Sequence, residues 1–457
     1  MQHKHKHIRI SHKTSFVIMW LGVWLCVGCA SHTQLSAPIR EAVHKLDLPL
    51  AFEHLENSSH LSPDGKNRLL YYLEKARLLH HMGTLSKAEI AYRNGARLAS
   101  ELYTTSLTQG ALSFVINDST MNYAGEEYEL VALHAMLAML FIEKGELQKA
   151  RVEAKRINTR LKELSRHEAR HEVNSATFGY QRDAFALFLS GMIFEALGEY
   201  DSAVVDYSKA LTSYENNYPG AGVSSSLVES LYQVALRTQR KNMLAMLRNK
   251  YGHLLRNQSL SPSVMVIAVG YPVTLKVSKS FVFAAGGQVL RYSWPSIPDH
   301  SPSLPFYDVR LQHSGAVSLE MAQNYDVIAR TVLEEKRVRL GAKTITRMIA
   351  KAKVAHEMHK VHPILGLITS IFGAWVETAD TRSWGLLPGK IALKRVPVKP
   401  QTSSLKYTTR HLRGAVTFKR DQSLSFLILD YTRTQTRQNS IASILSSISP
   451  PTKTPAL

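Results

Sequence analysis

The chain has 457 residues and an ordinary apolar fraction, so it can bury a substantial core, and its length predicts roughly two or three domains. Its net charge of +20 favours an anionic partner, such as nucleic acid, anionic lipid or an acidic polymer, although the same charge could simply solvate the surface. The two cysteines, Cys26 and Cys29, both lie near the N-terminus. Thiol catalysis and cysteine-based zinc sites are therefore excluded for the rest of the chain.

The N-terminus carries a basic stretch followed by an apolar one. Lys4, Lys6, Arg9 and Lys13 precede an almost wholly apolar run over residues 16–28. That run is shorter than the ~20 residues that a membrane-spanning helix needs, and its length is typical of the hydrophobic part of a signal peptide. The pattern predicts a cleavable signal at residues 1–28, and the alternative is an uncleaved N-terminal anchor.

The apolar run ends in Gly28-Cys29-Ala30-Ser31, which resembles the lipobox of bacterial lipoproteins. The resemblance implies that Cys29 carries a diacylglyceryl group. One position departs from the pattern, because Cys26 stands where leucine is usual. No Asp follows Cys29, which resembles the sorting signal for the outer membrane, so we expect the protein to face the periplasm. An exported protein does not meet nucleic acid, and we expect no nucleic-acid partner.

After a polar tether at residues 29–38, helical patterning fills residues 39–258. Apolar residues recur at three- and four-residue spacing, and turns at Gly83, Gly145 and Gly198 separate paired helical segments. The third pair resembles a tetratricopeptide repeat at these positions: Gly191, Phe194, Gly198, Tyr200, Ala203, Tyr207 and Ala210. The resemblance implies a helical array with a concave surface for a protein partner, and Tyr200 and Tyr207 are candidate contacts. Because insertions separate the pairs, a generic helical bundle is the alternative.

The hydrophobic pattern changes at residue 262 from helical spacing to apolar and alternating runs. Residues 262–431 are therefore predicted to form an α+β domain with several strands and a hairpin at Gly286-Gly287. A long amphipathic helix is expected over residues 324–362. The apolar segment 364–376 is expected to be a buried helix, or alternatively one that touches a membrane or partner. Residues 432–457 are expected to be disordered. The predicted fold class is α+β, an N-terminal all-α tetratricopeptide-like helical repeat array followed by a smaller α+β domain.

Three short motifs carry a further resemblance: Asp380-Thr381-Arg382-Ser383-Trp384, Leu387-Pro388-Gly389 and Tyr292-Ser293-Trp294-Pro295. They resemble a family of bacterial lipoproteins that join an N-terminal tetratricopeptide-like region to a C-terminal α+β domain. The resemblance implies this architecture and no particular activity. Arg382 and Trp384 are candidate partner-binding residues, the first for an acidic group and the second as an anchor. The favoured interpretation is a structural turn, with Trp384 in the core and Arg382 paired with Asp380.

One motif points to an enzyme. The stretch from His167 to His171 matches H-E-x-x-H, in which two histidines share a helix face and can bind Zn²⁺ while Glu168 acts as general base. No third ligand follows at a usual spacing and the flanking residues are charged, so a solvated helix surface is the favoured interpretation. Three histidines recur at three-residue spacing near the end of a predicted helix: His356, His359 and His362. They could bind a metal ion, or they could form the polar C-terminal end of that helix, where positive charge suits the helix dipole.

These features predict a non-enzymatic, lipid-anchored envelope protein that acts as a protein–protein interaction scaffold and needs no cofactor. A role in cell-wall assembly or its regulation is the most concrete expectation. The expected partner is an envelope protein, with an anionic envelope polymer as a second. The alternative function is a zinc-dependent hydrolase that uses His167, Glu168 and His171.

Overall fold

The computed structural model describes residues 31–109, 121–170, 183–216, 218, 220–256, 259–285, 288–299, 309–312, 314–337, 345–346, 348–350, 379–399, 404–409, 413–417 and 423–430. Helices occupy the first part of these residues and strands most of the second, which confirms the α+β class. The helices are α1 His32–His44, α2 Leu48–Glu56, α3 Arg68–His81, α4 Leu85–Gln109, α5 Glu127–Glu143, α6 Leu147–Arg170, α7 Ala184–Ala196, α8 Tyr200–Glu215, α9 Ser225–Arg237 and α10 Lys241–Tyr251. A 3₁₀ helix, Gly252–Leu254, follows α10, and helix α11 covers residues 325–337.

The expected tether at residues 29–38 is helical from His32 onward. The Ser31 hydroxyl accepts the backbone N–H of Gln34 at 3.3 Å, and the Gln34 side chain accepts the backbone N–H of Ser31 at 2.9 Å. This reciprocal cap satisfies two N–H groups at the start of a helix. Since His32 and Ser36 are also buried, the tether prediction is wrong for residues 32–38.

The helices form five antiparallel pairs, α1–α2, α3–α4, α5–α6, α7–α8 and α9–α10, each joined by a three-residue turn. The middle residue of each turn has a positive φ between 54° and 77°, and these residues are Leu46, Gly83, Gly145, Gly198 and Gln239. Glycine adopts this conformation without strain, which explains why three of the turns could be predicted. The other two turns hold the same conformation with Leu and Gln.

The central sheet has the strand order β10-β1-β7-β6. Its strands are β1 Ser263–Val269, β6 Glu320–Asn324, β7 Lys390–Pro397 and β10 Leu424–Asp430. Strand β1 is parallel to β10 and antiparallel to β7, and every residue of β1 is buried. A continuous apolar run is the pattern expected of a strand that is covered on both faces.

Strand β1 separates two cores by its alternation. Met265, Ile267 and Val269 join the large core that contains the helices, whereas Val264 and Val266 join a smaller core on the other side of the sheet. That smaller core is closed by a second sheet of order β5-β4-β8-β9, with β4 Arg310–Leu311, β5 Gly315–Ala316, β8 Ser404–Thr408 and β9 Arg413–Thr417. The molecule is therefore layered as helices, central sheet and second sheet.

The predicted hairpin is confirmed as β2 Val277–Ala285 paired antiparallel with β3 Gln288–Ser296. Within the long helix expected at 324–362, the described residues are helical in α11 and at 345–346 and 348–350. The remainder of that helix, the apolar segment 364–376, the tail 432–457 and the signal 1–28 lie outside the described residues.

Candidate functional site

The inner face of the helical array is covered by the C-terminal half of the chain. Helices α5 and α7, each the first of its pair, are buried along nearly their whole length. Three first helices also carry a buried glutamate that contacts the C-terminal half, and these are Glu74 in α3, Glu129 in α5 and Glu195 in α7. The face of the first helices, on which a partner was expected to bind, is thus covered by the chain itself.

The segment 380–389 lies on α3 and α5 through its own main chain. The Glu74 carboxyl group accepts the backbone N–H of Gly385 at 2.6 Å and that of Leu386 at 3.0 Å. The Glu129 carboxylate accepts the backbone N–H of Trp384 at 2.8 Å. Because these donors belong to the main chain, the two helices hold this segment through its backbone.

The two glutamates are unusual acids. Burial raises the pKa of Glu74 to about 8 and raises the pKa of Glu129 as well. Buried carboxyls with raised pKa values are typical of active sites. Here, however, both oxygens of each carboxyl accept hydrogen bonds, those of Glu129 also from the Tyr123 hydroxyl and the Glu126 N–H. The arrangement therefore uses both carboxyl groups to bind the chain itself.

Arg382 and Trp384 are buried, at 5% and 0% exposure, so neither can contact a partner on the surface. The Arg382 guanidinium donates to both oxygens of Asp380, at 2.6 Å to the nearer, and to the Met121 carbonyl at 2.7 Å. The Trp384 ring packs edge-on against Tyr92. The recognition-loop interpretation is thereby corrected, and the structural turn is the arrangement observed.

Tyr207 belongs to a buried network that joins α7 to β7. The Arg395 guanidinium donates to both Glu195 oxygens, at 2.7 and 2.9 Å, and the Tyr207 hydroxyl donates to Glu195 at 2.7 Å. Burial lowers the pKa of Arg395, but the Glu195 carboxylate outweighs this effect and the pKa lies above its ordinary value. Tyr207 is fully buried, and its expected role in partner contact is corrected to a structural one.

A third network ties α3 to the end of β10. Asp430 accepts hydrogen bonds from Arg77 at 3.0 Å and from His81 at 3.1 Å, and all three side chains are buried. Burial lowers the pKa of His81 to about 4, so its ring is neutral at pH 7 and Arg77 supplies the positive charge. The pKa of Asp430 lies far below its usual range because these donors overcome its burial.

The second helices leave an outer face with two grooves that flank α6. A groove of about 470 Å³ lies between α4 and α6, with Leu130 and His134 of α5 among its lining residues. Its lining includes four arginines, Arg93, Arg97, Arg156 and Arg160. A second groove, of about 710 Å³, lies between α6 and α8 and is lined in part by Lys162 and Lys209. These grooves are the candidate partner-binding surface.

The other predicted residues are placed as follows. Tyr200 is half-buried at the start of α8, with its ring 5.5 Å from the Arg237 guanidinium, and it lines neither groove. The side chains of His167 and Glu168, and all of His171 and Cys29, lie outside the described residues, as do His356, His359 and His362. Within the described ranges, no group of three or more His, Cys, Asp or Glu side chains is placed to hold a metal ion.

Sequence reasoning missed the glutamates that bind the C-terminal half. The usable signal was that α5 and α7 are apolar on all sides, since a helix of that kind is buried all round. An acid within such a helix, such as Glu129 or Glu195, must find a buried partner.

No family model and no curated protein matches the chain. Among solved structures, the crystal structure of BtubC (BKLC) from P. vanneervenii is similar over 53% of this chain and 84% of that chain, with 14% identity and a TM-score of 0.32. Among the helices in the described part of the chain, none combines the length and the apolar character that crossing a membrane requires.

Proposed function

We propose that the chain is a lipid-anchored protein of the bacterial cell envelope that binds a partner protein through the outer grooves of its helical array. The anchor is the lipid on Cys29, and the outer membrane, facing the periplasm, is its location. The observation that supports partner binding is the pair of open grooves beside α6, because the inner face is already occupied. A scaffold role in cell-wall assembly or its regulation fits these properties.

The proposal includes that the helix pairs are tetratricopeptide-like repeats. The support is the series of helix pairs and the fit within the α7–α8 pair, where Gly191 lies against the ring of Tyr207. A Cβ at Gly191 would overlap that ring, so the small residue is needed where the helices touch.

The groove between α4 and α6 suits an acidic segment of the partner. Arg97 donates to Glu101 at 2.7 Å, and the two side chains are 62% and 49% exposed. An exposed ion pair of this kind contributes little stability, so a carboxylate of the partner can replace Glu101 at low cost. Arg160 is held in place on the ring of Tyr103, 4.2 Å away.

Photo-crosslinking in cells tests this proposal. A photoreactive residue at Arg97 or at Lys162 should give an adduct of defined mass with an envelope protein, and the same residue at the exposed Lys241 of α10 should not. Arg97→Glu together with Arg156→Glu should abolish the adduct formed from Lys162, whereas Lys155→Glu, on α6 but outside the groove lining, should leave it intact. Adducts from Lys241 alone would contradict the assignment.

The anchor has its own test. Palmitate should label the chain and the label should be lost in Cys29→Ser. A label that persists in Cys29→Ser would refute the lipid on this residue.

A further inference from the structure

The β2–β3 hairpin exposes large apolar side chains. The ring of Phe281 lies 5.6 Å from that of Tyr292 and 5.9 Å from that of Trp294, which forms an aromatic cluster across the two strands. Phe281 is nevertheless 44% exposed, and Val282 is 62% exposed. Adjacent residues of a strand point to opposite faces, so each face of the hairpin exposes an apolar side chain at this point, although Tyr292, opposite Phe281, is buried against Met348.

In the sequence, these side chains lie in an uncharged stretch that is bordered by basic residues. From Ser280 to Leu290 the sequence holds no charged residue. Exposed Lys279 and Arg291 border this stretch, and Arg291 lies directly opposite Val282 in the strand pairing. Apolar side chains bordered by cations match the boundary between acyl chains and anionic headgroups of a lipid bilayer.

The start of the described chain lies at the base of this hairpin. The Thr33 hydroxyl, in the first turn of α1, donates to the backbone carbonyl of Lys276, and Val277 begins β2. Cys29 precedes Thr33 by four residues, which span at most about 14 Å. Phe281 follows Lys276 by five residues, about 17 Å of strand. A bilayer that holds a lipid on Cys29 is therefore within reach of the exposed hairpin side chains.

We propose that the β2–β3 hairpin is a second membrane contact, which inserts Phe281 and Val282 into the interface of an anionic bilayer beside the N-terminal lipid. This inference rests on the proposed lipid anchor at Cys29. The hairpin lies in the interface and does not cross the bilayer, because the outer edges of a two-stranded sheet leave backbone groups that hydrocarbon cannot satisfy. The lipid and the hairpin together hold the body of the protein, meaning the residues from Ser31 onward, in one orientation on the membrane.

Separating the body from the lipid-bearing N-terminus by proteolysis on vesicles tests the membrane contact of the hairpin. The full chain, with a specific protease site inserted between Ala30 and Ser31, is reconstituted in vesicles of phosphatidylethanolamine and phosphatidylglycerol. After cleavage the body should stay with the vesicles. Phe281→Ser with Val282→Ser should release it, since each exposed apolar side chain lost lowers the partition coefficient by about tenfold. Thermal unfolding followed by circular dichroism establishes that the variant is folded.

Two further variants keep the test specific. Ile90→Ser with Val152→Ser removes side chains that are 62% and 45% exposed on α4 and α6, and it should leave retention unchanged. Lys279→Glu with Arg291→Glu should lower retention on the anionic vesicles and leave binding to phosphatidylcholine vesicles unaffected, and it alters neither apolar side chain.

Each outcome decides one point. If the body without substitutions is released after cleavage while mass spectrometry shows the lipid on Cys29, the hairpin contact is overturned and the lipid anchor is supported. An N-terminal peptide without lipid overturns the anchor. Retention that disappears when the protein is diluted on the vesicles means that a second copy holds the body, and it overturns the membrane contact.

Discussion

Glu195→Gln should destabilise the whole protein, because it leaves a buried guanidinium without its counter-charge. Arg395 is 3% exposed, and both of its bonds to Glu195 lie in the interior. Removing one partner of a buried pair costs about 3–5 kcal/mol. The Tyr207 hydroxyl also loses a charged acceptor, although the amide oxygen replaces part of that bond. The loss is a large share of the ~5–15 kcal/mol that stabilises a typical domain.

Urea unfolding followed by circular dichroism measures this loss, and hydrogen exchange locates it. Because Glu195 lies in α7 and Arg395 in β7, amides of both elements should exchange faster in the variant. Glu195→Leu with Arg395→Met should recover most of the stability, since apolar side chains of similar size need no counter-charge. Asp201→Asn is the matched control, because its pair with Arg240 is exposed and should change the free energy of unfolding by less than about 0.5 kcal/mol.

Two results would refute this reasoning. If Glu195→Gln costs no more than Asp201→Asn, the pair is not buried as the structure has it. If exchange accelerates in β7 alone, the helices and the central sheet do not unfold as one unit.

Three further predictions concern turns and titrating groups. Gln239→Gly should stabilise the protein and Gly198→Gln should destabilise it, each by about 1 kcal/mol, since both positions have positive φ, and chemical denaturation showing the reverse order would contradict the turn geometry. The raised pKa of Glu74, about 8, means that the folded state holds its proton above pH 4.5, so its contribution to stability falls as pH rises to 8. Glu74→Gln should remove this slope from the thermal midpoint, and an unchanged slope would exclude the assignment. Neutral His81 contributes stability that is present above pH 6.5 and lost as pH falls towards 4, so His81→Gln should flatten the acid side of the stability profile, and equal acid sensitivity in both proteins would argue against it.

The closed inner face changes what a partner can use. Helical arrays commonly bind their partners on the concave surface. In this chain the segment 380–389 already covers the face formed by the first helices of the pairs, where it is bound through Glu74 and Glu129. The partner that we propose is therefore left with the outer grooves, which lie on the side of the second helices.

Local chemistry in the sequence determined the elements. The apolar periodicity and the turns at Gly83, Gly145 and Gly198 predicted three of the helix pairs, because glycine is the residue that a left-handed turn favours. Alternating and apolar runs around Gly286-Gly287 predicted the β2–β3 hairpin. The pairs that turn at Leu46 and Gln239 carry no such signal, since the rest of the structure imposes the strained conformation there.

Only the tertiary structure decided which faces stay open. Periodicity reports that one side of a helix is buried, but it does not report what covers that side. Glu74 and Gly385 are separated by 311 positions in the chain, and Glu195 and Arg395 by 200. Bonds over such distances depend on the whole fold, so Arg382, Trp384 and Tyr207 had the residue types of a binding surface and were found in the interior.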